Sequence, residues 1–242
     1  MLASASAQQP HPRSPARVST SEALCVWSGP ALLVLLGAGF LLAGLVPPPS
    51  PAAPAQEIRA FYAEDPDLRR AGIVLLSVGG SLFLPFGVAV AAQLRRIEGP
   101  NSAAAAVQLG AATITAATTI VYTFVMLALA FRPARDAGIM LALNDLAWIP
   151  FVGVWTPGAL QACAVATAVL GDRRPPGERL LPRWLGWLSL WMAFTSLTGS
   201  LVPFFTDGPF AWNGLIGFYV AATVFLGWYV AMFTVLRRGL VT

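Results

Sequence analysis

The stretch that most constrains the fold is residues 144–170, NDLAWIPFVGVWTPGALQACAVATAVL. As a helix it is long enough to cross a bilayer, which takes about 20 mainly apolar residues. It also contains one carboxylate, Asp145, and two internal prolines, Pro150 and Pro157. In hydrocarbon, a carboxylate and the carbonyls that a proline leaves without a donor need protein neighbours. The stretch therefore predicts a bundle of other membrane helices around it.

The composition of the whole chain agrees with that prediction. Of the 242 residues, 57% are hydrophobic and 11% are charged, and the mean hydropathy is +0.69. A soluble domain has roughly a quarter of its residues charged. We therefore predict an all-α fold, a polytopic membrane helix bundle of six transmembrane helices that occupies residues 24–238. The predicted spans are 24–46, 71–94, 102–131, 144–170, 184–206 and 212–236.

The segments before the second span are more polar. Residues 1–23 are rich in Pro, Ser and Ala, bury little apolar surface and are predicted to be a disordered tail. The first apolar run exceeds the roughly 7–15 residues of a signal-peptide core, which favours an uncleaved span. After a Pro-rich link, Ile58, Phe61 and Tyr62 share one helical face. An interfacial helix and a solvated connector both remain open for that segment.

The distribution of arginine predicts the orientation. All fifteen basic residues are Arg, which is typical of a GC-rich genome. With six spans, ten arginines fall on the side of the two termini and five on the other side. The positive-inside rule then predicts that both termini are cytoplasmic. The expected location is the inner (plasma) membrane of a bacterium, as a multi-pass protein in contact with the lipid bilayer.

The third span has an unusual polar face. With a turn of about 100° per residue, six of its residues fall within about 60° of Thr115. Hydroxyls and amides gain little by facing lipid, so we expect this face to lie inside the bundle. The six residues are Gln108, Ala111, Thr115, Thr118, Thr119 and Tyr122.

Asp145 has two interpretations. A carboxylate at mid-bilayer costs about 2.5–3.5 kcal/mol on insertion scales, so it normally has a partner or faces water. It is either a proton, cation or ligand site, with Thr156 on its helical face, or an interfacial residue that caps a helix together with Asn144. The fifth span adds hydroxyls, Ser196 among them. The predicted ligand-binding residues are Asp145, Thr115, Thr119, Tyr122, Gln108, Ser196 and Thr156.

Prolines interrupt three of the predicted spans. Each removes one helical hydrogen bond and frees the carbonyl four residues earlier. Kinked helices around a midplane site are typical of transporters, yet membrane helices also tolerate proline without a functional role. Both interpretations stay open. The residues concerned are Pro85, Pro150, Pro157 and Pro203.

Several classes of function are excluded by what the sequence lacks. The single histidine, His11, excludes bis-histidine haem sites, and without Lys there is no Schiff base. Cys25 and Cys163 lie in apolar segments and are predicted to be small buried hydrophobic residues. No span carries a paired-carboxylate, Walker or Rossmann motif. We predict no metal, no cofactor, no nucleic-acid partner and no catalytic residue.

Two stretches carry a resemblance to a known group. They are NDLAWIPF at 144–151 and LPRWLGWLSL at 181–190, the second following a basic loop. Together with these stretches, the order of features over residues 58–238 resembles that of a family of multi-pass membrane proteins from GC-rich bacteria, a domain-of-unknown-function type. The resemblance implies an arrangement of about six spans and no particular activity, cofactor or site.

Three classes of function remain. The favoured one is an accessory or scaffold subunit whose spans pack against a membrane protein partner. The alternative is a binder or transporter of a small lipophilic or cationic ligand that uses the Asp145 helix. An enzyme acting on a lipid-soluble substrate is least favoured, because no acid–base pair is identified. The ligand binder would be favoured over the scaffold if one cavity were lined by Asp145, Thr115, Thr119 and Ser196.

Overall fold

A computed structural model describes residues 19–153 and 156–240. These residues form helices and no strand. The described ranges contain nine α-helices in this order: α1 Thr20–Leu42, α2 Ala55–Ala63, α3 Pro66–Ser81, α4 Phe83–Glu98, α5 Ala103–Phe131, α6 Ala137–Gly153, α7 Thr156–Gly171, α8 Arg183–Thr198 and α9 Ala221–Leu236. Four shorter helices accompany them: 3₁₀ turns at Pro176–Glu178, Gly199–Phe204 and Arg237–Leu240, and a π-helix at Leu215–Val220.

In the part of the chain that the structure describes, six helical segments are long and apolar enough to cross a membrane. The prediction of an all-α protein with six such segments is therefore confirmed. The segments are Thr20–Leu42, Pro66–Glu98, Ala103–Phe131, Ala137–Gly171, Arg183–Phe204 and Leu215–Leu240.

The segment bounds differ from the predicted ones at several places. The second extends four or five residues further at each end than the predicted 71–94. The fourth begins at Ala137, so residues 137–147, whose placement the sequence left open, continue the helix. The predicted disordered tail ended at residue 23, but α1 begins at Thr20, because the Ser19 hydroxyl accepts a hydrogen bond from the Glu22 backbone N–H at 3.2 Å. Residues 1–18 of that predicted tail lie outside the described residues.

The connections between spans gather at two ends of the bundle. At the Arg-rich end, which holds residues 99–102 and 172–182, the start of α1 meets the end of α4 through an ion pair of 2.6 Å between Arg96 and Glu22. At the Pro-rich end, which holds residues 43–65, 132–136 and 205–214, the Trp212 indole donates to the Pro49 carbonyl at 2.7 Å. Consecutive spans therefore run in opposite directions, and residues 19 and 240 lie at the same end.

Arginine side chains cap two helices at the Pro-rich end. Arg69 donates to the carbonyl of Ala43, just beyond α1, and Arg70 donates to the carbonyl of Ala130 near the end of α5 at 3.0 Å. The last carbonyls of a helix have no intrahelical partner, and they carry the negative end of the helix dipole. These contacts satisfy the carbonyls and join consecutive spans.

The short helix α2 is docked on the bundle. Ile58 and Tyr62 are fully buried, and α2 packs mainly against α6. Gln56, Glu57 and Arg59 on its opposite side are exposed. Of the two interpretations left open for this segment, the solvated connector is therefore wrong, because one face of α2 belongs to the core.

Three of the six spans are irregular along their length. The second breaks at Leu82, between α3 and α4 and shortly before Pro85. The fifth changes from α8 to the 3₁₀ turn Gly199–Phe204, which contains Pro203, and the sixth begins with the π-helix Leu215–Val220. Because proline removes a hydrogen bond and a π-turn widens the helix, each irregularity loosens the local packing.

Candidate functional site

A cavity of about 400 Å³ lies inside the bundle, beside the irregular parts of the second and sixth spans. Phe83 is the first residue of α4, Pro150 lies on α6, Pro157 lies on α7, and Phe218 belongs to the π-helix. The helices α1, α5 and α9 complete the wall. The lining residues are Leu36, Gly37, Phe40, Leu41, Val46, Phe83, Thr115, Thr118, Thr119, Tyr122, Pro150, Phe151, Pro157, Gly158, Phe218, Ala222, Phe225 and Leu226.

The wall of the cavity is apolar and rich in aromatic rings. The rings of Tyr122 and Phe151 lie with centroids 4.5 Å apart, and Phe40 meets Phe151 at 5.5 Å. On the other side Phe83 and Phe225 meet edge to face at 5.8 Å. No charged side chain is among the lining residues of the described chain. Such a wall suits a neutral, largely hydrocarbon molecule.

Two hydroxyls in the wall, those of Thr115 and Thr119, are engaged by the protein itself. Thr119 donates to the Thr115 carbonyl at 2.8 Å. Thr115 donates to the Ala111 carbonyl at 2.9 Å and accepts a hydrogen bond from Gln161 on α7, also at 2.9 Å. A threonine that bonds back to its own helix offers little to a ligand. The Thr115 hydroxyl therefore joins α5 to α7, and both hydroxyls leave the adjoining cavity surface largely apolar.

The cavity opens on the outer surface of the bundle. Gly37, Leu41 and Val46 in the first span and the following loop are exposed, and so is Leu226 on α9. They lie on helices long enough to cross a membrane, so in a bilayer this opening faces lipid chains. The cavity is thus accessible from the side, between α1 and α9.

The structure brings together three of the seven predicted ligand-binding residues. Thr115, Thr119 and Tyr122 line the cavity, and the inward orientation expected for their face is confirmed by the burial of Gln108, Thr119 and Tyr122. Gln108 lies outside the cavity wall, 1% exposed, and its Oε1 has no partner among the described residues. This part of the prediction rested on a regular helical period, which the uninterrupted helix α5 follows.

The other three predicted residues lie elsewhere. Asp145 is half-buried and Thr156 is exposed, and neither lines the cavity. Ser196 is buried on α8, outside the wall. Convergence of four residues on one cavity was expected to favour a ligand binder over a scaffold. Only Thr115 and Thr119 line the cavity, whereas Asp145 and Ser196 lie away from it.

The sequence reasoning missed the aromatic wall. Phe40, Phe83, Phe151, Phe218 and Phe225 come from five different helices. A phenylalanine inside an apolar span has no local signal that separates a cavity-lining ring from a packed or lipid-facing one. Comparisons of the chain with family models, curated proteins and solved structures gave no match, so its function is inferred from the geometry alone.

Proposed function

We propose that the protein binds a small, neutral, lipophilic molecule inside the membrane. The observation that carries the proposal is the cavity of about 400 Å³, which has an apolar aromatic wall and opens toward lipid. Ligand pockets typically measure about 300–1,000 Å³ and are mostly apolar. The lateral opening between α1 and α9 lets a ligand enter from the bilayer without crossing water.

The wall indicates which lipophilic molecules bind best. Lipid chains are as apolar as the wall, so moving a ligand from bilayer to cavity gains no hydrophobic free energy. Selectivity must come from shape and from ring contacts, which are worth about 0.5–1.5 kcal/mol each beyond area burial. The rings of Phe151 and Tyr122 favour a ligand that itself contains a ring. A cationic ligand is disfavoured, because Asp145 lies outside the wall.

We place the protein in the bacterial plasma membrane with both termini in the cytoplasm. The described part of the chain has eight arginines at the Arg-rich end, counting the adjoining helix ends, and five at the Pro-rich end. Basic residues close to membrane spans favour the cytoplasmic side. The Pro-rich end, with α2, then faces outward.

A role as an accessory subunit remains a second candidate, and one surface favours it. Trp184, Trp187, Trp191 and Phe194 form an exposed stripe on one face of α8. Tryptophan prefers the membrane interface, but Trp191 lies two turns into the helix. A partner helix that covers this stripe would explain its position. The two roles are compatible, since the stripe and the cavity lie on different helices.

Photolabelling of the cavity tests the proposed function. Trifluoromethyl-phenyldiazirine is a small apolar ring compound that inserts into nearby bonds on illumination. We expect peptide mapping by mass spectrometry to find the label on residues of the cavity wall such as Phe151 and Tyr122. Labelling limited to lipid-exposed residues such as Phe124 would contradict the proposal.

A matched pair of variants sharpens the photolabelling. A Cβ added at Gly37 meets nothing within 4 Å, and Gly37 lines the opening, so Gly37→Phe should block the label without disturbing the fold. Gly110 on α5 is also exposed, with nothing within 4 Å of an added Cβ, but it lies outside the cavity. Gly110→Phe should keep the label. Equal labelling of the two variants would contradict binding in this cavity.

A further inference from the structure

A donor-rich cluster lies at the Pro-rich end, where α2 meets α3 and α6. Tyr62 and Asn144 are fully buried, and the Tyr62 hydroxyl donates to Oδ1 of Asn144 at 3.3 Å. Trp148, also fully buried, follows one turn later on α6. The Arg69 side chain is buried as well, with its guanidinium carbon 5.9 Å from the centroid of the Tyr62 ring. We call these four residues the donor cluster.

Three nitrogens of the donor cluster have no hydrogen-bond acceptor in the described part of the chain. They are Nε of Arg69, Nδ2 of Asn144 and Nε1 of Trp148. Burial raises the pKa of Tyr62, and Trp148 is near enough to oppose that rise, yet its indole N–H makes no hydrogen bond of acceptable geometry. Buried donors in folded proteins nearly always have a partner. All three unpaired nitrogens of the cluster are donors, so an added acceptor would satisfy them.

The charge of the donor cluster points in the same direction. The Arg69 guanidinium lies over the Phe61 ring at 3.8 Å and donates to the Ala43 carbonyl. No carboxylate lies within 4.0 Å of it among the described residues. Glu64 and Asp65 act on it only at longer range, and both are exposed. A buried cation without a contacting counter-ion attracts an anion.

We propose that the donor cluster binds one small monovalent anion, with chloride as the natural candidate. Asn144 Nδ2 and Trp148 Nε1 donate to it, and Arg69 supplies the compensating charge. All four side chains are buried, so a small ion suits the cluster better than a group as large as phosphate. Binding requires a rotation of the Asn144 amide about its broad terminal torsion and a rearrangement of its hydrogen bond with Tyr62. No residue of the cluster lines the cavity, so this site goes beyond the proposed function.

The anion dependence of thermal stability tests this site on the full chain in detergent. Unfolding is followed in sodium chloride and in sodium gluconate at equal ionic strength. A ligand that binds only the folded state raises the unfolding temperature. We expect the wild-type protein to unfold a few degrees higher in chloride.

Trp148→Phe replaces the indole by a smaller benzene ring and removes one donor. The smaller ring costs stability in both salts, whereas the loss of the donor costs stability only where an anion is bound. The variant should therefore lose more stability in chloride than in gluconate, and the rise caused by chloride should largely disappear. This salt dependence is the signature of a bound anion.

Trp228→Phe is the matched control. Trp228 is equally buried on α9, but its indole donates to the Ser189 hydroxyl at 2.9 Å. That variant should lose the same stability in both salts and keep the chloride-dependent rise. The proposal is overturned if the wild type shows no such rise, or if Trp148→Phe keeps it. It is also overturned if Trp148→Phe loses equal stability in both salts, as a bound water would require.

Discussion

Two glycines on α1, Gly37 and Gly39, lie two residues apart and have opposite surroundings. A Cβ added to Gly39 would lie 2.7 Å from Cγ of Leu76 and 2.8 Å from the carbonyl oxygen of Gly72, both on α3. A Cβ added to Gly37 would meet nothing within 4 Å. Successive helical positions turn by about 100°, so the two residues face different sides of α1. One side is closed by backbone contact, and the other is left open at the cavity.

The difference shows how a bundle can be firm and still hold a cavity. Glycines let α1 and α3 approach closely, and such small-residue contacts are the main cohesive feature of membrane helices. On the other side of α1, the neighbouring spans are irregular at Leu82 and within the π-helix Leu215–Val220, so they do not close on it. The cavity is therefore a consequence of helix irregularity beside a tightly packed pair.

The largest effect is expected where the two backbones touch. A Cβ at Gly72 meets the backbone nitrogen of Ala43 and lies 2.7 Å from the carbonyl oxygen of Gly39. Backbone atoms cannot move aside as side chains can, so Gly72→Ala should reduce the free energy of unfolding by about 3 kcal/mol. Thermal unfolding in detergent measures this loss. Gly37→Ala is the control and should change stability by less than about 0.5 kcal/mol. If the two variants were equally stable, the difference in packing between the two sides of α1 would be refuted.

A smaller effect is expected from removing an aromatic ring of the cavity wall, on the open side of α1. Phe151→Ala removes the ring that packs on Tyr122 at 4.5 Å. At about 0.5–1.5 kcal/mol per ring contact, the concentration of diazirine probe needed for half-maximal labelling should rise about two- to twelvefold. Phe124→Ala removes an exposed ring on the lipid face of α5 and should leave that concentration unchanged. If both variants behave alike, the rings of the wall do not select the ligand.

Asp145→Asn should have almost no effect on labelling. Asp145 lies outside the cavity wall and is half-buried, so removing its charge changes neither the shape nor the polarity of the cavity. The labelled fraction of the protein should stay within about twofold of the wild type, well under the tenfold that 1.4 kcal/mol represents. A loss of labelling would move the ligand site to the Asp145 face of α6.

The smallest effect concerns the loop at the Arg-rich end, remote from the cavity. Side-chain hydrogen bonds from Arg174, the shortest 2.9 Å, hold the pKa of Asp172 below its usual value. A carboxyl with a lowered folded-state pKa stabilises the protein above its unfolded pKa of about 3.9 and loses that contribution as pH falls through the folded value. Asp172→Asn should therefore speed hydrogen exchange of residues 172–182 at pH 7, and the difference should shrink in acid.

Asp207→Asn serves as the control for that loop. Asp207 lies in the connection before the sixth span, is exposed and makes no ion pair in the described part of the chain. Its replacement should leave exchange in the Arg-rich loop unchanged at every pH. A difference between Asp172→Asn and the wild type that persists in acid would mean that the loop does not depend on this charge.

The spans were predictable because their signals are local. Length and hydropathy identify the six segments, and the period of α5 predicts that Gln108, Thr119 and Tyr122 face inward. The Ser19 cap that starts α1 is equally local, although the predicted tail overran it by a few residues. The break at Leu82 is near the predicted kink at Pro85, since a proline loosens the turn before it.

The cavity and the donor cluster were not predictable, because they depend on distances between remote segments. Tyr62 and Asn144 are 82 residues apart in the chain and meet only because α2 docks on α6. The same holds for Phe40 and Phe218, whose rings approach to 6.4 Å across two spans. The sequence indicated Asp145 because it is an acid in an apolar stretch, but its neighbour Asn144 is the residue whose side chain is fully buried.

The most direct test of intramembrane ligand binding is native mass spectrometry of the protein extracted gently from its own membrane. We expect the wild type to carry a small lipophilic molecule that is absent from Gly37→Phe and retained in Gly110→Phe. The same molecule on both variants, or a wild type that carries no small molecule and only a partner protein, would contradict the account and favour the accessory-subunit role.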